Sequence, residues 1–169
     1  MTTDRLLLRP WTGAEAAAVR AGERRPDWAG DFPAEGDVVI AGLLAERPDW
    51  LAAFGHHLVV ERATRLVVGS IGLFWPPEDG VVEIGYGIVP SRRGRRYAAE
   101  ATVALTGFAL TSPEVRSVSA QVERANPASV RVLEAAGFTL VADEGEVLRR
   151  RCCRCCPAPG SPRRRPTPG

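Results

Sequence analysis

Two periodicities divide the chain. Val115 to Val122 (VRSVSAQV) alternates apolar and polar residues, as a strand with one buried face does. Ala98, Ala101, Leu105 and Phe108 recur at helical spacing and predict a long helix. Asp4 to Pro10 (DRLLLRP) predicts a short strand, ended by a proline that cannot donate to a ladder. Residues 13–22 predict a helix closed by Gly22, and residues 23–35, with Pro26 and Pro33, predict a loop. Asp37 to Glu46 predicts a second helix, followed by a short piece from Pro48 to Phe54. His57 to Glu61, Leu66 to Trp75 and Val81 to Val89 are β-rich and predict a meander of antiparallel strands. Pro76 to Gly80 reads as the turn before the last of them.

Further on, Pro90-Ser91-Arg92-Arg93-Gly94 forms a loop that opens the long helix. Asn126-Pro127 is a helix start, with Asn as cap and Pro at the first helical position. Gly137 is the matching stop, and Phe138 to Ala142 predicts another strand. The order is strand, helices, three strands, helix, strand, helix, strand. That order predicts one mixed α/β domain with a mostly antiparallel sheet flanked by helices.

Composition changes this picture only at the C-terminal end. The chain has 169 residues, 45% apolar and 25% charged, ordinary for a soluble domain with a real core. No apolar run approaches the ~20 residues of a membrane helix, and Met1 to Pro10 does not read as a secretory signal. With no cysteine in residues 1–148, the expectation is a cytoplasmic protein. The net charge of +2 conceals an asymmetry. Residues 149–169 contain seven Arg, all four Cys and no acid, which leaves residues 1–148 at −5. Every basic residue is Arg, a bias expected of a gene rich in G and C.

Residues 1–148 are therefore expected to be the folded domain, and residues 149–169 a disordered Arg/Cys/Pro-rich tail. Glu146 to Arg149 could begin a closing strand, but the Arg/Cys/Pro run after it reads as unable to continue one, like the product of a frameshift. Cys152, Cys153, Cys155 and Cys156 lack a second ligand pair downstream, so no metal site is expected. The Arg clusters have no interleaved aromatics, so no specific nucleic-acid recognition is expected.

The chemistry-bearing stretch is Glu83 to Phe138. Strand, basic glycine loop and helix follow directly, as VVEIGYGIVPSRRGRRYAAEATVAL. A helix N-terminus has unpaired N–H groups and partial positive charge and can hold a pyrophosphate. Arg93, Arg95 and Arg96 around Gly94 add cationic donors. Neither the G-x-x-x-x-G-K-[ST] nor the G-x-G-x-x-G phosphate loop is present.

Four pieces, Asp4 to Pro10, Glu83 to Tyr86, Pro90 to Ala101 and Asn126 to Phe138, resemble the GNAT superfamily of acyl-CoA-dependent N-acetyltransferases in order and spacing. The likeness is to the RimJ/RimL-type branch over roughly residues 3–148. It implies the GNAT fold, with acetyl-CoA as acyl donor and a primary amine as acceptor, either a protein N-terminus or a small molecule. It implies that the backbone of Ile88 and Val89 pairs with the pantetheine arm. The N–H groups from Arg93 through Gly94, Arg95, Arg96 and Tyr97 to Ala98 would hold the pyrophosphate. Asn126 would lie beside the pantetheine and Ser129 near the thiol. The amine would attack the thioester directly, without an acyl-enzyme. Glu83 is the candidate base, and Ser129 the candidate acid for the leaving thiolate, because Leu133 stands where many relatives place a Tyr.

Two departures keep alternatives open. Arg96 stands where the family loop usually has a second Gly or Ala, so it adds a contact or blocks the site. The aberrant ending leaves a non-catalytic GNAT-fold protein, or a binding module acting through the tail, as competing readings. Monomer and homodimer fit equally. Glu100 reads as a structural first-turn acid. His56 and His57 adjoin a strand start and are expected at the surface or an edge. Trp28, Phe32 and Trp50 are expected to pack in the core or a lid.

Overall fold

The computed structural model describes residues 1–153. Seven strands form a single sheet: β1 (Leu6–Pro10), β2 (His56–Glu61), β3 (Leu66–Glu78), β4 (Val81–Ile88), β5 (Ser117–Glu123), β6 (Thr139–Glu144) and β7 (Val147–Cys153). Their spatial order is β1-β2-β3-β4-β5-β7-β6. All pairings are antiparallel except β4 with β5. Four helices accompany the sheet: α1 (Gly13–Arg20), α2 (Glu35–Glu46), α3 (Tyr97–Ala109) and α4 (Pro127–Ala135). No helix among the described residues is long and apolar enough to cross a membrane.

Local chemistry sets the helix ends. Thr12 and Glu15 form a reciprocal capping box at α1, and Glu15 also accepts two hydrogen bonds from the Arg9 guanidinium. Asn126 caps α4 by accepting from the Ser129 N–H, with Pro127 next, and Gly137 ends the segment in the left-handed region that favours glycine. The core runs along β1 to β4 through Leu6, Leu8, Leu58, Ile71, Leu73 and Val82, and receives Leu105 from α3. Trp11, Trp28 and Phe32 form an aromatic group at its edge. These aromatics and Trp50 are all buried.

Three expectations are corrected. Pro76 and Pro77 belong to β3, and only Asp79-Gly80 makes the turn, both with positive φ. Regular β3–β4 pairing lapses between Phe74 and Glu78, so the two prolines are asked for no ladder donor. His56 and His57 are buried, not at the surface. β2 lies between β1 and β3 and is covered on both faces, and the His56 ring packs against both Trp50 and Phe74.

The third correction concerns the ending. β7 runs to Cys153, beyond the boundary expected at residue 148. Ladder bonds come from the backbone, and β7 is flanked by β5 and β6, so its unusual side chains do not prevent pairing. Alternate residues Leu148 and Arg150 are buried. The Arg150 guanidinium meets Glu134 Oε1 at 2.8 Å and the Phe138 carbonyl at 3.4 Å. The expectations about disorder and about Cys155 and Cys156 fall on residues 154–169, outside the described residues.

Candidate active site

β4 and β5 pair in parallel only from Val81↔Ser117 to Glu83↔Ser119. Beyond that point they part, and the edge of β4 from Ile84 to Ile88 is left without a strand on that side. Into the gap come the loop before α3 and the N-terminal half of α4. They enclose a cavity of about 860 Å³ lined by Tyr86, Gly87, Ile88, Arg92 to Gly94, Arg96 to Ala99, Asn126, Ser129 and Arg131.

The floor of this cavity is a helix N-terminus. The first main-chain bond of α3 runs from the Glu100 N–H to the Arg96 carbonyl. No side chain caps the helix, so the N–H groups of Tyr97, Ala98 and Ala99 remain at the end that lines the cavity. Arg96 is left-handed, with φ 63°, and Gly94 has φ 76°. The chain thus makes its turn with an arginine where glycine would be unstrained. The Arg96 side chain is exposed and lines the cavity.

A buried carboxylate holds the loop in place. Glu61, at the end of β2, accepts from Tyr97 Oη at 2.6 Å and Thr64 Oγ1 at 2.6 Å. It also pairs with Arg95 at 3.2 Å and Arg92 at 3.4 Å. Burial opposes its charge, yet the hydrogen bonds from Thr64 and Tyr97 and the charge of Arg92 hold its carboxyl below the ordinary range. Arg95 is therefore turned to Glu61 and is not among the lining residues, whereas Arg93 and Arg96 are. Glu100 fixes the neighbouring edge, pairing with Arg5 at 2.6 Å and accepting from Thr3.

The expected site residues are distributed unevenly. Ile88, Arg93, Gly94, Arg96, Tyr97, Ala98, Asn126 and Ser129 all line the one cavity. Val89 is buried behind it and gives its N–H to Val68. Glu83 is not among the lining residues of this cavity. It sits at the last paired position of β4, where the strands part, and accepts from Gln121 at 2.8 Å. Tyr86, to which no sequence motif assigns a role, also lines the cavity and donates to the Ser129 carbonyl at 3.2 Å. Burial raises its phenol pKa.

A second cavity, of about 510 Å³, lies between α2 and the sheet. Ser70, His56, Asp37 and Glu35 line it, and it shares Tyr86, Gly87, Ile88 and Arg93 with the first. Sheet register places Ser70 opposite Gly87 and Gly72 opposite both Gly85 and His56, all on one face. A Cβ at Gly72 would collide with the His56 ring, and one at Gly87 would meet nothing within 4 Å. The only local sequence signal for this arrangement is the alternation of glycines in Ile84-Gly85-Tyr86-Gly87-Ile88.

The cleft suits an extended chain ending in a pyrophosphate. It offers an unpaired strand edge, oriented N–H groups and four lining arginines, Arg92, Arg93, Arg96 and Arg131. Comparison with known proteins agrees. Residues 5–139 match the family described as acetyltransferase (GNAT) domain. A curated relative from Bacillus subtilis, the uncharacterized N-acetyltransferase YjdG, is 33% identical over 88 residues. That stretch is 52% of each chain, so the protein spans about half the length of the curated relatives it matches. An acetyltransferase structure from Agrobacterium tumefaciens superposes with a TM-score of 0.66 at 26% identity, covering 91% of this chain and 94% of that one. A GNAT-family acetyltransferase from Bordetella pertussis gives 0.63 at 29% identity, covering 89% and 97%. With most of its length matched by that domain and its strands parted over such a cleft, the chain belongs to the GNAT family of acetyltransferases.

Proposed function

We propose that the protein transfers an acetyl group from acetyl-CoA, the donor this family uses, to a primary amine. The observation that carries the reading is the free edge of β4 leading to the uncapped N-terminus of α3 within one cavity. The donor supplies an activated thioester. The Ile88 region of β4 binds the pantetheine arm as an added strand would. The N–H groups at the start of α3 hold the pyrophosphate, and Arg93 and Arg96 add charge. Asn126 and Ser129 close the opposite wall from α4.

The acceptor must lose a proton before it can attack. Glu83, at the apex of the cleft, takes that proton directly or through water. Ser129 returns one to the departing sulfur. The Tyr86 phenol, which donates to the Ser129 carbonyl, holds this turn of α4 against β4. Attack is direct, as the family resemblance implies, and the absence of cysteine from residues 1–148 is consistent with it. The pattern Asn126 to Ser129, with Leu133 in place of a tyrosine, favours the RimJ/RimL type, with a protein N-terminus or a small amine as acceptor.

Calorimetric titration of acetyl-CoA into the full chain, followed by CoA release with a panel of primary amines, tests the reading. Micromolar binding with amine-dependent release is expected. No binding below millimolar would leave the fold without the chemistry.

A further inference from the structure

Buried charges and buried polar atoms in proteins are normally paired. The second cavity breaks that rule twice. Asp37 is 2% exposed. Its oxygens accept only neutral donors, the Ser70 hydroxyl and the Ala34 N–H. No arginine among the described residues forms an ion pair with it. His56 is 1% exposed, lines the same cavity, and its Nε2 has no hydrogen-bond partner. Glu35 adds a second carboxylate at the rim. The cation among the lining residues, Arg93, is exposed, lies where the two cavities meet, and places Nε on the Ile88 carbonyl.

The space is also kept open. Gly85 and Gly87 present no side chain from β4, and a methyl group at Gly87 would project into empty volume. The same face of β4 carries Glu83 two residues before Gly85. A carboxylate lacking a cation and a histidine whose Nε2 lacks a partner therefore both line one cavity, which adjoins the first along the β4 backbone.

We infer that this cavity receives the acceptor as an alkylammonium, with Asp37 as its counter-ion and His56 Nε2 accepting one of its N–H bonds. The assignment rests on the acetyl-transfer reading above and adds the residues that select the acceptor. Asp37 and His56 discriminate for charge, and the glycine pair sets the room for the alkyl chain. A compact primary amine is favoured over an acceptor that brings its own carboxylate near Glu35 and Asp37.

The full chain has two histidines, adjacent and on opposite faces of β2, so His57 is an internal control. Ring ¹⁵N shifts are followed while n-butylamine, or n-butanol as its neutral isostere, is titrated in at pH 7.5, with and without CoA. A saturable shift of His56 Nε2 with n-butylamine alone is expected, and His57 should not move. Asp37→Asn keeps an oxygen for the Ala34 N–H and should weaken binding about tenfold or more. Gly87→Ala, which fills the cavity without touching Asp37, should weaken it comparably. No saturable shift, an equal response to n-butanol, or unchanged affinity in both variants overturns the inference. Acetyl-CoA calorimetry on the same sample separates the two readings. Binding of acetyl-CoA without the amine removes this inference alone. Binding of the amine without acetyl-CoA removes the acetyl-transfer reading and leaves the ammonium site.

Discussion

The two cavities share the backbone of β4 and differ in almost everything else. The first is basic, is built from two contiguous segments, and presents the uncapped N-terminus of α3. The second is acidic, draws on α2, β2, β3 and β4, and presents the side chains of Asp37, His56 and Ser70. Backbone recognition tolerates side-chain change and leaves a local motif in the sequence. Side-chain recognition across several elements leaves none, because residues 37, 56, 70 and 87 become neighbours only when the sheet register is known.

The contrast can be broken most forcefully with acid. Burial, the largest influence on both rings, lowers His56 and His57 from 6.5 to about 4. A group depressed in the folded state stabilises the fold above its unfolded pKa, and the contribution is lost as pH falls through the folded value. Stability should therefore drop between pH 6.5 and 4 by roughly 3 kcal/mol per ring. Urea midpoints across this window should show an uptake approaching two protons on unfolding. An uptake of one would mean that only one of the two rings is held away from water in the folded protein.

The next largest effect separates the cavities. Glu61→Ala removes the carboxylate that holds Arg92, Arg95 and Tyr97, and leaves charges without a partner. It should cost about 3 kcal/mol of stability and weaken acetyl-CoA binding. Butylammonium binding beside Asp37 should be unchanged. Parallel loss at both sites, measured by calorimetry, would mean that the cavities are one structural unit.

Much of the first cavity was legible. Asn126-Pro127, Gly137 and the glycine-arginine loop are local signals whose geometry depends on few distant contacts. β7 and His56 were not. The Arg/Cys run reads as unfoldable because its side chains are poor in apolar atoms, yet an interior strand is held through its backbone, and Arg150 finds Glu134 only after α4 has packed. His56 looks like an edge residue because the residue that makes room for its ring, Gly72, lies on another strand. Arg95 looked like a phosphate ligand because Glu61 is distant in sequence.

The smallest effect sharpens the comparison at one residue. Arg96→Gly should stabilise the fold by about 1 kcal/mol by removing a left-handed arginine. It should also weaken acetyl-CoA several-fold and flatten the salt dependence of binding, because a cation leaves the rim. Tighter binding in the variant, read by calorimetry at two salt concentrations, would instead identify the side chain as an obstruction.

The interior position of β7 also bears on how the molecule is made. β7, the last strand among the described residues, must insert between two strands synthesised before it. Until Cys153 has emerged, β5 exposes an open edge, with Ala120 and Val122 facing where the core will close, and β6 has no neighbour at all. Such edges invite pairing with other nascent chains. The protein should therefore depend more on chaperones during synthesis than its folded stability suggests, and a chain cut at residue 148 should aggregate even though both cavities lie upstream of the cut.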